Sequence, residues 1–109
     1  EERTFEFAKD IRLYVKKIPR TIANIEDVKQ LIRSSGSVGA NYREANEALS
    51  KKDFLMRMRI SRKKAKECVY WLRLIQETNA LDNSREADRL MGEAIELMKI
   101  LSAIVAKST

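Results

Sequence analysis

Apolar residues recur along this chain at intervals of three and four almost from end to end, the spacing that lines one face of an α-helix. Phe7, Ile11, Tyr14 or Val15, and Ile18 form the first stripe. They predict a helix from about Thr4, read as its N-cap, to about Lys17, with Pro19 closing it. Asn24 with Asp27 three residues on resembles a capping box, and starts a second helix through Val28, Leu31, Ser35, Val38, Tyr42, Ala45 and Leu49. The next boundary is sharper. Ser50 can accept the backbone N–H of Asp53 while the Asp53 carboxylate reaches back, and Leu49 and Phe54 stand at the two positions of a hydrophobic staple. A third helix therefore runs from near Lys51 to about Gln76, followed by a short polar connection over residues 77–82. Asn83 with Glu86 then caps a fourth helix, whose stripe of Ala87, Leu90 or Met91, Ala94, Leu97 or Met98, Leu101, and Ile104 or Val105 extends to near Lys107.

Four such helices joined by short turns predict an all-α chain, a single up-down-up-down four-helix bundle domain over residues 1–109. Composition agrees, since three Gly and one Pro leave few places to break a helix. With no apolar stretch of about 18 residues and one cysteine, which cannot form an intrachain disulfide, the chain reads as a soluble cytoplasmic protein without a membrane partner. The absence of histidine removes the commonest general base and metal ligand. No catalytic residue, metal site or cofactor is therefore expected.

The third helix carries more than one core face requires. At about 100° per residue, Phe54, Met58, Ser61, Ala65, Cys68, Val69 and Leu72 fall on the bundle side. Met56, Ile60, Tyr70, Trp71 and Leu74 fall nearly opposite, where an isolated bundle leaves them in water. A second apolar stripe of aromatic and methionine side chains predicts a homo-oligomer interface. Between the stripes lie Arg59, Arg62, Lys66 and Arg73 on one flank and Arg57 and Lys64 on the other, while Lys63 sits among the second stripe. Glu67 is the only acid between Arg57 and Arg73, and the whole chain carries a net charge of +6. Charge of this density fits phosphates; it offers no means of reading base sequence.

Residues 34–40, Ser-Ser-Gly-Ser-Val-Gly-Ala, could suggest a phosphate loop, but they lack the Gly-Lys-[Ser/Thr] ending and the apolar pattern runs through them unbroken. Glycine costs a helix interior about 1 kcal/mol against alanine, so the run predicts close packing at Gly36, Gly39 and Ala40. Asn41 and Glu44, one turn apart, read as hydrogen-bonding residues between helices, and Cys68 as a small core residue.

Arg33, Ser37, Val38, Ala40, Asn41, Glu44 and Ala45, then Lys52, Asp53 and Phe54, then Glu67, Tyr70, Trp71 and Leu72 together resemble the core signature of a bacterial family. These are the four-helix-bundle proteins encoded in intervening sequences of 23S ribosomal RNA genes. Gly39 departs from the pattern, standing where many relatives carry proline. The resemblance implies a homopentameric ring. It also brings in the similar accessory variability determinants of diversity-generating retroelements, basic pentamers that bind nucleic acid and a reverse transcriptase. The resulting expectation is a non-enzymatic oligomeric accessory protein that binds RNA or DNA through Arg57, Arg59, Arg62, Lys63, Lys64, Lys66 and Arg73, with a reverse transcriptase as a further partner. The alternative is a protein–protein scaffold with no physiological nucleic-acid binding.

Overall fold

The computed structural model describes residues 1–80 and 84–109. Its four helices are α1 (Glu2–Val15), α2 (Ile22–Asn46), α3 (Lys51–Glu77) and α4 (Ser84–Ser108), and no strand occurs among the described residues. Each helix packs against its two neighbours, and the backbones of the diagonal pairs α1/α3 and α2/α4 do not approach each other, as in an antiparallel four-helix bundle. The molecule measures 45 × 21 × 20 Å. Its long axis is set by α3, whose 27 residues span about 40 Å.

The core follows the predicted stripes closely. Phe7, Ile11, Tyr14, Leu31, Val38, Met58, Ala65, Cys68, Leu72, Leu90, Ala94 and Leu101 are all buried, and Phe54, Val69, Tyr42 and Met91 pack against them from its edge. The Ser/Gly run is a helix seam. A Cβ on Gly39 would lie 3.1 Å from Thr4 Oγ1, and one on Gly36 would lie 3.3 Å from an Arg12 guanidinium nitrogen, so both glycines let α1 settle onto α2. Ala40 is exposed and has no part in that contact. Helix α2 runs unbroken through Gly39. At the same N-terminal end α1 is tied to α4, where Arg3 donates to both carboxylate oxygens of Glu93 at 2.7 and 2.8 Å. That bond holds the Glu93 carboxyl below its ordinary value.

Helix starts differ from the sequence expectation where a polar residue is taken up by tertiary contact. Thr4 is not the first N-cap: α1 begins at Glu2, and Thr4 is buried over Gly39 with its hydroxyl donating to the Glu1 carbonyl at 2.8 Å. Thr21, not Asn24, caps α2, its hydroxyl accepting the Asn24 N–H at 3.1 Å. Helix α2 ends at Asn46, so the turn that follows carries Leu49 fully into solvent, 100% exposed, and the staple with Phe54 does not form. Ser50 does cap α3 as predicted, accepting the Asp53 N–H at 3.1 Å. The expected cap at Asn83 and the end of the connection at Asp82 lie outside the described residues.

Freed from capping, Asn24 closes one end of the bundle. Its amide is buried and exchanges two hydrogen bonds with Asn79 at the end of α3, at 2.8 and 2.9 Å, while its Nδ2 also donates to the Pro19 carbonyl. Asn79 in turn donates to the Ile75 carbonyl at 2.8 Å. One side chain thus joins the α1–α2 turn, α2 and α3. Asn24→Ala leaves a partly buried Asn79 amide and a carbonyl without their partner, and should cost about 1–3 kcal/mol. Urea unfolding should show a lower midpoint at unchanged slope, whereas an unchanged midpoint would deny the amide pair its role.

Candidate nucleic-acid interface

Helix α3 presents its predicted cations to two very different settings. On the flank that meets α2, side chains are drawn into the seam: Ser61 donates to the Val38 carbonyl at 2.7 Å, and Ser34 donates to Glu67 at 3.3 Å. Two cations are used there. Arg57 is half-buried and donates to Asn41 Oδ1 at 3.2 Å, and Lys64 pairs with Glu67 at 3.4 Å. On the other flank Arg73 pairs with Glu77 at 2.7 Å in water, a contact that raises the Arg73 pKa by hydrogen bonding.

The remaining four behave differently. Arg59, Lys63 and Lys66 are exposed and Arg62 is half-buried, and none of them makes an ion pair with an acid among the described residues. They lie between residues 59 and 66, within about 10 Å along the helix axis. Of the seven predicted residues, the structure therefore brings these four together as a solvated cluster and diverts Arg57 and Lys64 into the bundle. Lys52 extends the cluster and was missed in the sequence reading; it lines a shallow depression with Asp53, Met56, Arg59, Ile60 and Lys63. Its signal was the seven-residue spacing to Arg59, two helical turns on the same side.

The second apolar stripe also divides. Met56 is 45% exposed and Tyr70 60%, while Ile60 and Leu74 are half-buried. Trp71 is not on the open face: it is half-buried and packs against the core, because its position borders the α2 flank and the broad indole reaches inward. Tyr70 touches it edge-on, with ring centroids 4.9 Å apart and planes at 82°. Asn41 bonds across helices as expected, accepting from Arg57 and donating to the Ser37 carbonyl at 2.9 Å. Glu44 is instead exposed, and its carboxylate makes no hydrogen bond among the described residues.

The model of the family described as "23S rRNA-intervening sequence protein" matches residues 2–103. The chain belongs to that family. A crystal structure of a protein with unknown function from the S23 ribosomal protein family of Bacteroides thetaiotaomicron is similar to it, with 30% identity over 95% of each chain and a TM-score of 0.84. No curated protein matches the chain. The family resemblance read from the sequence is thereby established, and with it the four-helix bundle. No described helix of this 23S rRNA-intervening sequence family member is long and apolar enough to cross a membrane.

Cys68 is buried among the core residues, and burial pushes its thiol from 9.0 up to about 12, with the Glu67 charge adding and Lys64 opposing. A thiol so placed is neither exposed nor ionised near neutral pH. Native protein at pH 8 should not react with a disulfide reagent that labels the same thiol at once in denaturant. Because the unfolded chain ionises first, stability should fall as pH rises from 9.0 to about 12, and Cys68→Ala should remove that part of the fall. Rapid native labelling at pH 8 would contradict the buried placement.

Proposed function

We propose that this protein is a non-enzymatic accessory protein that assembles as a homo-oligomer and binds nucleic acid, RNA or DNA, through the outer face of α3, in the cytoplasm. One observation carries the reading: exposed Arg59, Lys63 and Lys66 and half-buried Arg62 stand together on α3 with no carboxylate paired to them among the described residues. Lysine and arginine left unpaired at this density hold a counterion atmosphere that a phosphate backbone displaces, and the released ions drive binding without base recognition. Contacts of this charge cluster to backbone phosphates carry no sequence information, so the binding we propose is sequence-tolerant.

The assembly we propose is the pentameric ring that the family resemblance implies. Met56 and Ile60 share their depression with Arg59 and Lys63, while Arg62 and Lys66 lie further round α3 toward its other flank, so a neighbour docked on the apolar side chains leaves Arg62 and Lys66 in water. Repeating the cluster around a ring adds the separate fields into one. A reverse transcriptase is the protein partner we propose, on the similarity to the retroelement accessory determinants. Should nucleic acid not bind, the protein–protein scaffold is the reading that takes its place.

Two measurements test this. Filter binding of RNA and DNA across a salt series should give log K against log[salt] with a slope of about −3 per subunit for single strands, as expected when about four phosphates are neutralised. Reversing Arg59, Arg62 and Lys66 to Glu should flatten that slope and abolish binding at moderate salt, while absence of binding at low salt overturns the proposal. Sedimentation at micromolar concentration should give about five times the monomer mass, and Met56→Asp should lower it; a monomeric wild-type chain removes the ring.

A further inference from the structure

Tyr70 belongs with the cations, not with the apolar stripe that its residue type suggests. On α3 it follows Lys66 by four residues and precedes Arg73 by three, so a cation stands one turn below it and another one turn above, about 5–6 Å away along the axis. Lys63 lies a further turn below. The ring is 60% exposed, and its edge contact with the half-buried Trp71 at 4.9 Å fixes its orientation against a side chain that is itself packed on the core. A lone exposed aromatic needs no explanation. An exposed aromatic held in one orientation and bracketed along the helix by cations is the pairing that single-strand binding uses, with bases stacked on rings and phosphates on the flanking charges.

We infer that Tyr70 is a stacking platform for an unpaired base, which makes single-stranded or looped nucleic acid, not duplex, the substrate of the α3 surface. The inference rests on the proposed phosphate-binding role of that surface. A base laid on the phenol ring brings its two flanking phosphates toward Lys66 and Arg73. The Arg73–Glu77 pair is 72% and 63% exposed, weak in water, and free to exchange its carboxylate for a phosphate. In a duplex both faces of every base are already covered by its neighbours, so the ring has nothing to receive and only the charges act.

The test compares binding of a single-stranded oligouridylate of about sixteen nucleotides, and of a duplex with the same number of phosphates, to the wild-type protein and three variants of Tyr70. Tyr70→Ala should weaken the single strand by about five- to a hundredfold and leave the duplex within about twofold, the range one stacked base contributes. Tyr70→Phe keeps the π face and should bind as wild type, whereas Tyr70→Leu keeps apolarity without it and should bind as the alanine variant. Trp71 fluorescence should be quenched by the single strand and not by the duplex. Circular dichroism and sedimentation of each variant should match wild type, which separates stacking from folding and assembly. Equal affinity for both probes that all three variants leave unchanged, or a leucine variant equal to wild type, overturns the stacking role while the phosphate-binding surface stands. Binding of neither probe at low salt overturns both.

Discussion

Helix α2 is approached on two sides over residues 34–40 by neighbours that only small side chains admit. On one side Gly36 and Gly39 leave room for Arg12 and Thr4 of α1, and on the other the Ser61 hydroxyl of α3 reaches the Val38 carbonyl at 2.7 Å. Two glycines in a helix interior cost about 2 kcal/mol of propensity, and each hydroxyl taken from water must find an acceptor. Ser34, Ser35 and Ser61 do so, with Glu67, the Ile32 carbonyl and the Val38 carbonyl. The close fit makes α2 an element through which α1 and α3, whose backbones do not approach each other, are positioned relative to one another.

This seam decides which charges of α3 reach solvent. Arg57 and Lys64 project toward α2 and are met there by Asn41 and Glu67. Arg59, Arg62, Lys63 and Lys66 point away from it and have no ion pair among the described residues. Solvent exposure of the second group and packing of the first are consequences of one rotation of α3 about its axis. The same rotation puts Trp71 against the core and its neighbour Tyr70 in water.

Much of this was legible beforehand because the 3-4 stripes are unusually regular. Leu31, Val38, Met58, Leu72, Leu90 and Leu101 were assigned to the core from spacing alone and are buried. The errors gather at helix ends, where one polar residue can serve either as a cap or as a tertiary contact. Thr4 and Asn24 have side chains that suit both uses, and local pattern favoured the cap; the packed chain uses Thr4 against Gly39 and Asn24 against Asn79. Leu49 was expected both to end the α2 stripe and to staple Phe54, and it does neither, since α2 stops at Asn46 and the turn that follows carries Leu49 fully into solvent. On α3 the spacing marked a cation-rich helix, but it could not say that Arg57 would be taken up by Asn41 of α2.

By itself the sequence determined four helices, their core faces and the family to which they belong, because helical periodicity and small-residue runs are properties of neighbouring positions. Tertiary structure alone decided which polar residues cap and which join helices, and which cations stay free. Those outcomes depend on groups distant in sequence, such as Arg57 with Asn41, 16 residues apart, and Asn24 with Asn79, 55 apart, whose meeting is set by how the helices are rotated against one another.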